Sequence, residues 1–295
     1  MDRHSHVFLG SQHDANARRT LWVVGLTAAM MVGEIVAGQV YNSMALLADG
    51  FHMATHAGAL AVAAAAYAFA RRHAEDRRFS FGTGKVGDLA GFASALVLAL
   101  IALGIGVESV GRLFEPRAVA FTEATVVAIV GLVVNLASAL LLSGTHQHGH
   151  DHHHDHAEHH DHDNNLRSAF AHVVADAFTS VLAICALLAG RYLGWLWLDP
   201  AMGIVGGIVI AVWAWNLLRD TAGVLLDATD PHLEAEVREH VEAEADARIN
   251  DLHVWRVVPG AHAAIVSVAG SADAATILRR LAPVLELAHL TIVTG

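Results

Sequence analysis

The sequence is poor in charge and nearly devoid of cysteine. Charged residues make up 16% of its 295 positions and hydrophobic ones 55%, with a mean hydropathy of +0.45. That balance excludes an ordinary water-soluble domain and marks a membrane composition. Cys185 is the single cysteine, so an intrachain disulfide framework is ruled out and the redox compartment is left open. No HExxH occurs, which removes the usual zinc-hydrolase signature. The polar tail ahead of Leu21 lacks a small-residue cleavage pattern, so the apolar run that follows reads as a span and not as a removable signal.

What is present is a series of apolar runs, at about 21–40, 45–70, 86–113, 121–142, 166–189 and 201–218. Each reaches the ~20 residues that a helix needs to cross the hydrocarbon layer. They are too continuous for the alternating strands of a barrel. The expectation is an α-helical membrane protein of six transmembrane helices. Arg3, Arg18, Arg19, Arg71, Arg72, Arg77, Arg78, Lys85, Arg167 and Arg219 gather on one side, against Arg112, Arg117 and Arg191 on the other. The positive-inside rule puts both termini in the cytoplasm of a cell with the protein in its inner (plasma) membrane.

Past Asp230 the composition turns charged and mixed. DPHLEAEVREHVEAEA reads as a helix, NDLHVWRVV and AHAAIVSVA as strands joined at Pro259 and Gly260, ADAATILRRLAPVLEL as a helix and HLTIV as a last strand. This predicts a small cytoplasmic α+β, ferredoxin-like αββαβ domain, short enough that dimerisation would help it stand. The expected organisation is a tail at 1–18, a transmembrane domain at 19–228 and this domain at 229–295.

Polar residues inside the runs carry the chemistry. On α-helical spacing His52 and His56 share a face, with Asp49 one turn below; His172 and Asp176 repeat the four-residue interval in the fifth run. Two helices bearing such pairs supply three imidazoles and one carboxylate, a four-ligand set for a tetrahedral divalent ion. Interhelical hydrogen bonding is the competing role, but two matched pairs favour a metal partner for groups that are costly to bury. Asp49 is an accessory candidate in the same path.

Between the fourth and fifth runs lies HQHGHDHHHDHAEHHDHD, within a loop at 145–163. It holds His146, His148, His150, His152, His153, His154, His156, His159, His160 and His162, ten of the 22 histidines, interleaved with acids. With almost nothing apolar it cannot build a core, and such tracts bind transition metals. The competing reading is a solvated linker. On the cytoplasmic side it would suit a metal collector.

These features together resemble the cation diffusion facilitator family along nearly the whole chain: six spans, HxxxH and HxxxD pairs on spans two and five, the His-rich loop, and a tail near NDLHVWRVVPG. MALLADGFHM, RRFSFGTGKVGDLAGFASALVLAL and HSHVFLGSQHDANARRT look like its branch that exports cobalt and nickel. The resemblance implies a homodimeric metal/proton antiporter with alternating access, no enzyme, no permanent cofactor and no nucleic-acid partner. Its substrates would be Co²⁺, Ni²⁺ or Zn²⁺, bound by His52, His56, His172 and Asp176 between membrane lipids. Many zinc-carrying members have Asp where this chain has His56. Imidazole there shifts the site toward nitrogen ligation and away from Mn²⁺ without ranking Co²⁺, Ni²⁺ and Zn²⁺.

Histidine binds metal only when neutral and has an unperturbed pKa near ~6.5, so protons and metal compete for the same lone pairs. Other polar positions have plainer expectations. Glu34, Glu108 and Asn135 should face the bundle interior, and Asp88 with Lys85 should form a salt bridge. His73 and Asp76 form one candidate regulatory metal site, and His253 with His289 another, in the tail. His232, His240 and His262 read as structural, and His4, His6 and His13 as tail residues. A membrane cytochrome using His52 and His172 as haem ligands leaves His56 and Asp176 idle. An intramembrane metallohydrolase lacks a recognisable base.

Overall fold

A computed structural model describes the backbone of residues 11–143 and 161–295; side chains are described from 25 to 138 except 56 and 60, at 140, and from 177 onward. The long apolar runs satisfy every backbone group within themselves by forming helices: α1 (Ser11–Val40), α2 (Met44–Arg72), α3 (Val86–Phe114), α4 (Phe121–Ser143), α5 (Asp161–Leu193) and α6 (Leu198–Leu225). They outrun the hydropathy boundaries, because apolarity marks the lipid-facing part while hydrogen bonding carries a helix on into polar sequence. Among the described residues, α2, α3, Phe121–Ser138 of α4, and α6 are long and apolar enough to cross a membrane, and Gly25–Val40 and Ala177–Leu193 are the apolar described parts of α1 and α5. Proline follows the same logic. Of the five, Pro200 sits in the first turn of α6, where no intrahelical donor is lost, and the others lie outside the six helices.

Two compact units divide the chain, Met1–Ala57 with Leu100–Ala211, and Gly58–Ala99 with Val212–Gly295. In the first, α4 packs against α1 and α5 around Ala37, Leu46, Ala124, Ala128 and Leu187. Small residues bring α6 close to α2: an added Cβ on Gly206 would lie 2.6 Å from Ala48 Cβ, and one on Gly203 2.7 Å from Met44 Cβ. Tight backbone approach of this kind is how helices associate in lipid. Leu100, Leu103, Val107 and Val110 of α3 are exposed at helical spacing, an apolar stripe suited to acyl chains.

The second unit contains the remaining parts of α2, α3 and α6, then α7 (Pro231–Val241), β1 (Ala247–Val258), β2 (Ala261–Gly270), α8 (Ala274–Leu281) and β3 (Leu287–Thr294). The helix–strand–strand–helix–strand order expected from sequence is the one found. β1 and β2 are antiparallel, joined through Pro259 and Gly260, whose φ of 75° suits the second corner of a turn. β3 runs parallel to β2, with α8 as the crossover. Leu233, Val237, Val254, Val266, Ile277 and Leu281 fill the core. Asp230 caps α7 by accepting from His232 and Leu233 N–H, with Pro231 at its first position. The helix expected to run through Pro283 stops at Leu281; proline disfavours helix for its predecessor and offers no N–H, and Leu287 joins the last strand.

Candidate metal-transport site

Helix α2 can present polar side chains at depth because its own first turn is fully satisfied. Ser43 Oγ accepts from Leu46 N–H (3.1 Å) and donates to Asp199 Oδ1 of α6 (2.6 Å), while Met44 and Ala45 N–H donate to Asp199 (2.8 and 3.2 Å). Asp199 is 0% exposed and so caps α2 from another helix, meeting donors that a helix start otherwise leaves orphaned. Arg112 steadies the same corner, donating to Asn42 O (2.5 Å) and pairing with Glu108 (3.0 Å). Glu108 also meets Arg117 at 3.2 Å with its side chain 43% exposed. It is thus a partner for two arginines at a helix end and does not face the bundle interior as expected.

Three residues into the helix from Leu46, Asp49 is buried and Ser180 Oγ of α5 donates to its Oδ2 at 2.9 Å. His52 lies one turn further along α2 and is half-buried; its backbone carbonyl accepts from Thr55 Oγ1 at 2.6 Å. The side chains of His56, His172, Asp176 and His162 lie outside those described, as do His146, His148, His150, His152, His153, His154, His156, His159 and His160 with their backbone, and His4 and His6. Among the described residues no group of three or more His, Cys, Asp and Glu side chains converges. Asn135 of α4 turns inward as expected, with Nδ2 3.5 Å from Met53 Sδ of α2.

The candidate regulatory residues are engaged locally. His73 Nδ1 donates to Phe69 O (3.0 Å) and its ring stacks on Phe69 at 4.2 Å. Asp76 accepts from Nε and Nη2 of Arg78 (3.0 and 2.6 Å), and that guanidinium holds its carboxyl below the usual carboxylate range. In the tail, His253 meets Asp251 at 3.0 Å. His289 is paired to Ala263 of β2 and packs edge-on against Phe81 at 5.5 Å, so the middle strand separates it from His253 on β1. Lys85 and Asp88 do form salt bridges, but with distant partners: Lys85 with Asp227, and Asp88 with Arg256 at 2.5 Å.

The helices and polar residues just described coincide with a known transport architecture. Residues 21–226 match the model of the cation efflux transmembrane domain. The chain belongs to the cation efflux family. A zinc transporter, ZitB, of Escherichia coli is 35% identical over 257 residues, 86% of this chain and 78% of that protein. The metal cation efflux system protein CzcD of Cupriavidus metallidurans is 32% identical, covering 85% of this chain and 76% of that protein. A cadmium, cobalt and zinc/H⁺–K⁺ antiporter of Bacillus subtilis is 30% identical over 97% of this chain and 91% of its own length. None of these names singles out the cobalt and nickel branch that short motifs of the sequence resemble.

Within this cation efflux protein, the residue that sequence reasoning passed over is Asp199. It follows Leu198 and precedes Pro200 at the start of an apolar run, where it looks like a local helix cap. Its acceptors instead serve α2. An acid beside a proline in an apolar run, with no basic residue near it along the chain, was the available signal.

Proposed function

We propose that this cation efflux protein exchanges divalent transition-metal ions for protons, exporting Co²⁺ or Ni²⁺, with Zn²⁺ as a third candidate, from the cytoplasm through His52, His56, His172 and Asp176. The observation that carries the reading is the Ser180–Asp49 hydrogen bond. It ties α5 to α2 one turn before His52, while Asp176 precedes Ser180 by one turn. As the second and fifth of successive crossings, the two helices run in opposite directions. Moving from the tie toward the cytoplasm therefore meets His52 after about 4.5 Å of helix rise and Asp176 after about 6 Å, then His56 and His172 a turn deeper. That register supports one shared ligand set. Its imidazoles take up protons when metal leaves and release them when metal binds, so the cycle needs no covalent chemistry. Metal enters from the cytoplasm, the site turns outward, protons displace the ion, and the protonated site returns.

The His-rich segment at 145–163, whose last three residues open α5, serves as a cytoplasmic collector, and residues 229–295 form a cytoplasmic domain that supports a homodimer in the inner membrane. A zinc-preferring exporter is the second reading, favoured by the name of the Escherichia coli relative. Purified protein in vesicles with a pH gradient, assayed with each metal, tests both. His52→Ala, His172→Ala and Asp176→Ala are expected to abolish flux while the protein still reaches the membrane. Undiminished flux in any of the three refutes the site, and Zn²⁺ outpacing Co²⁺ and Ni²⁺ selects the zinc reading.

A further inference from the structure

Helix α1 carries a buried acid that the proposed ligand set leaves unused. Glu34 is 0% exposed, and neither carboxyl oxygen has a hydrogen-bond partner among the described residues. It fills the space that glycine leaves on α4: an added Cβ on Gly131 would lie 1.8 Å from Glu34 Oε1 and 3.1 Å from Glu34 Cδ, with Met30 Cε at 3.4 Å. On the α2 side Gly50 gives similar clearance, its added Cβ meeting Glu34 Cβ at 3.1 Å. The pocket around this carboxyl is thus shaped by backbone and hydrocarbon.

Among the described residues, Asp49 on α2 lies within electrostatic reach of it. Helix α4 offers Gly131 and, one turn on, the uncharged Asn135; α5 offers the Ser180 hydroxyl, which is spent on Asp49. Two like charges in so dry a place would repel each other and forgo hydration together. A bound cation relieves both costs. The space beside Glu34 Oε1 is closed by the α4 backbone, which leaves room for the smallest cation and argues against a metal with its several oxygen ligands.

We propose that Glu34, facing Asp49, is a proton-binding site of the transmembrane unit, distinct from the metal ligands, and that it carries a proton in the exchange cycle. Its part in the cycle rests on the antiport reading; the proton on Glu34 rests on its burial, its lack of donors among the described residues and the closeness of Gly131. When the site is filled, one carboxyl oxygen holds the proton and the charge facing Asp49 disappears. When it is emptied, the repulsion returns and favours a different packing of α1 against α2 and α4.

The test uses the full chain in lipid vesicles and the isosteric Glu34→Gln. Infrared spectra of the wild type at neutral pH are expected to show the carbonyl stretch of a protonated carboxyl group, and Glu34→Gln to lose it. In the same vesicles Glu34→Gln keeps Zn²⁺ binding, while stimulation of Zn²⁺ flux by a pH gradient falls about tenfold, within the usual range for coupled sites. A wild type without the band overturns the proposal even should the variant fail to fold. So does a folded Glu34→Gln that keeps the band or the full gradient stimulation. Wild-type flux indifferent to the gradient sinks the antiport reading and the cycle role, whereas the band still decides whether Glu34 holds a proton.

Discussion

Asp199 and Glu34 are equally hidden, each at 0% exposure, yet they live opposite chemical lives. Asp199, at the end of a helix, accepts three hydrogen bonds from the first turn of α2 and its preceding serine. Glu34, in mid-helix, accepts none among the described residues. A carboxyl that holds a corner together is fully spent on its donors. One with unspent acceptors is available to a mobile cation, so saturation separates scaffold from machinery where burial alone does not.

The sharpest way to break this contrast is to remove the saturated acid. Asp199→Ala strands buried donors, and at about 1–3 kcal/mol for each unsatisfied group the loss should total at least about 3 kcal/mol. Thermal unfolding in detergent should show a large drop, and an unchanged melting temperature would mean that Asp199 is no scaffold. Ser180→Ala probes the middle ground. It leaves Asp49 without that donor, at a cost of about 1–3 kcal/mol, and should weaken Zn²⁺ binding measured by calorimetry while disturbing stability less than Asp199→Ala. Wild-type affinity in that variant would detach the α2–α5 tie from the metal site.

The smallest effect belongs to the tail domain, where a saturated acid faces water. Asp273 caps α8 by accepting from Thr276 N–H at 2.8 Å, and its hydrogen bonds to Thr276 hold its carboxyl below the usual range. A depressed carboxyl stabilises the fold above its unfolded pKa, near ~3.9, and that contribution is lost as pH falls through the folded value. The melting temperatures of Asp273→Ala and the wild type should therefore differ at neutral pH and converge in acid. A gap that persists at low pH would assign the difference to something other than the charged cap.

Much of the fold was legible because its elements advertise themselves locally. Apolar runs gave α1 to α6 and alternation gave β1 and β2, whereas the helix read through Pro283 ends before it, at Leu281. The pairings were less legible. Lys85 and Asp88 are three apart and invite a mutual salt bridge, but each is claimed by a residue far along the chain, Asp227 and Arg256. Asp199 and Ser180 were silent for the same reason, since a single polar residue has no period and its partner is fixed only by packing. His52 and Asp49 stood out because helical spacing repeats; Glu34 stood out as an acid in a span, but its lack of donors is a property of three-dimensional surroundings.

The cap on α2 arrives late. Its acceptor on Asp199 follows Met44 by 155 residues, so at about 5–20 residues per second the ribosome delivers it roughly 8–30 s after α2 has been made. Until then the first turn of the helix that bears His52 and His56 lacks its final fastening and is open to fraying, to the attention of insertion chaperones or to quality-control proteases. The start of α6 thus completes the first turn of α2, and a chain truncated before Asp199 should leave that turn uncapped.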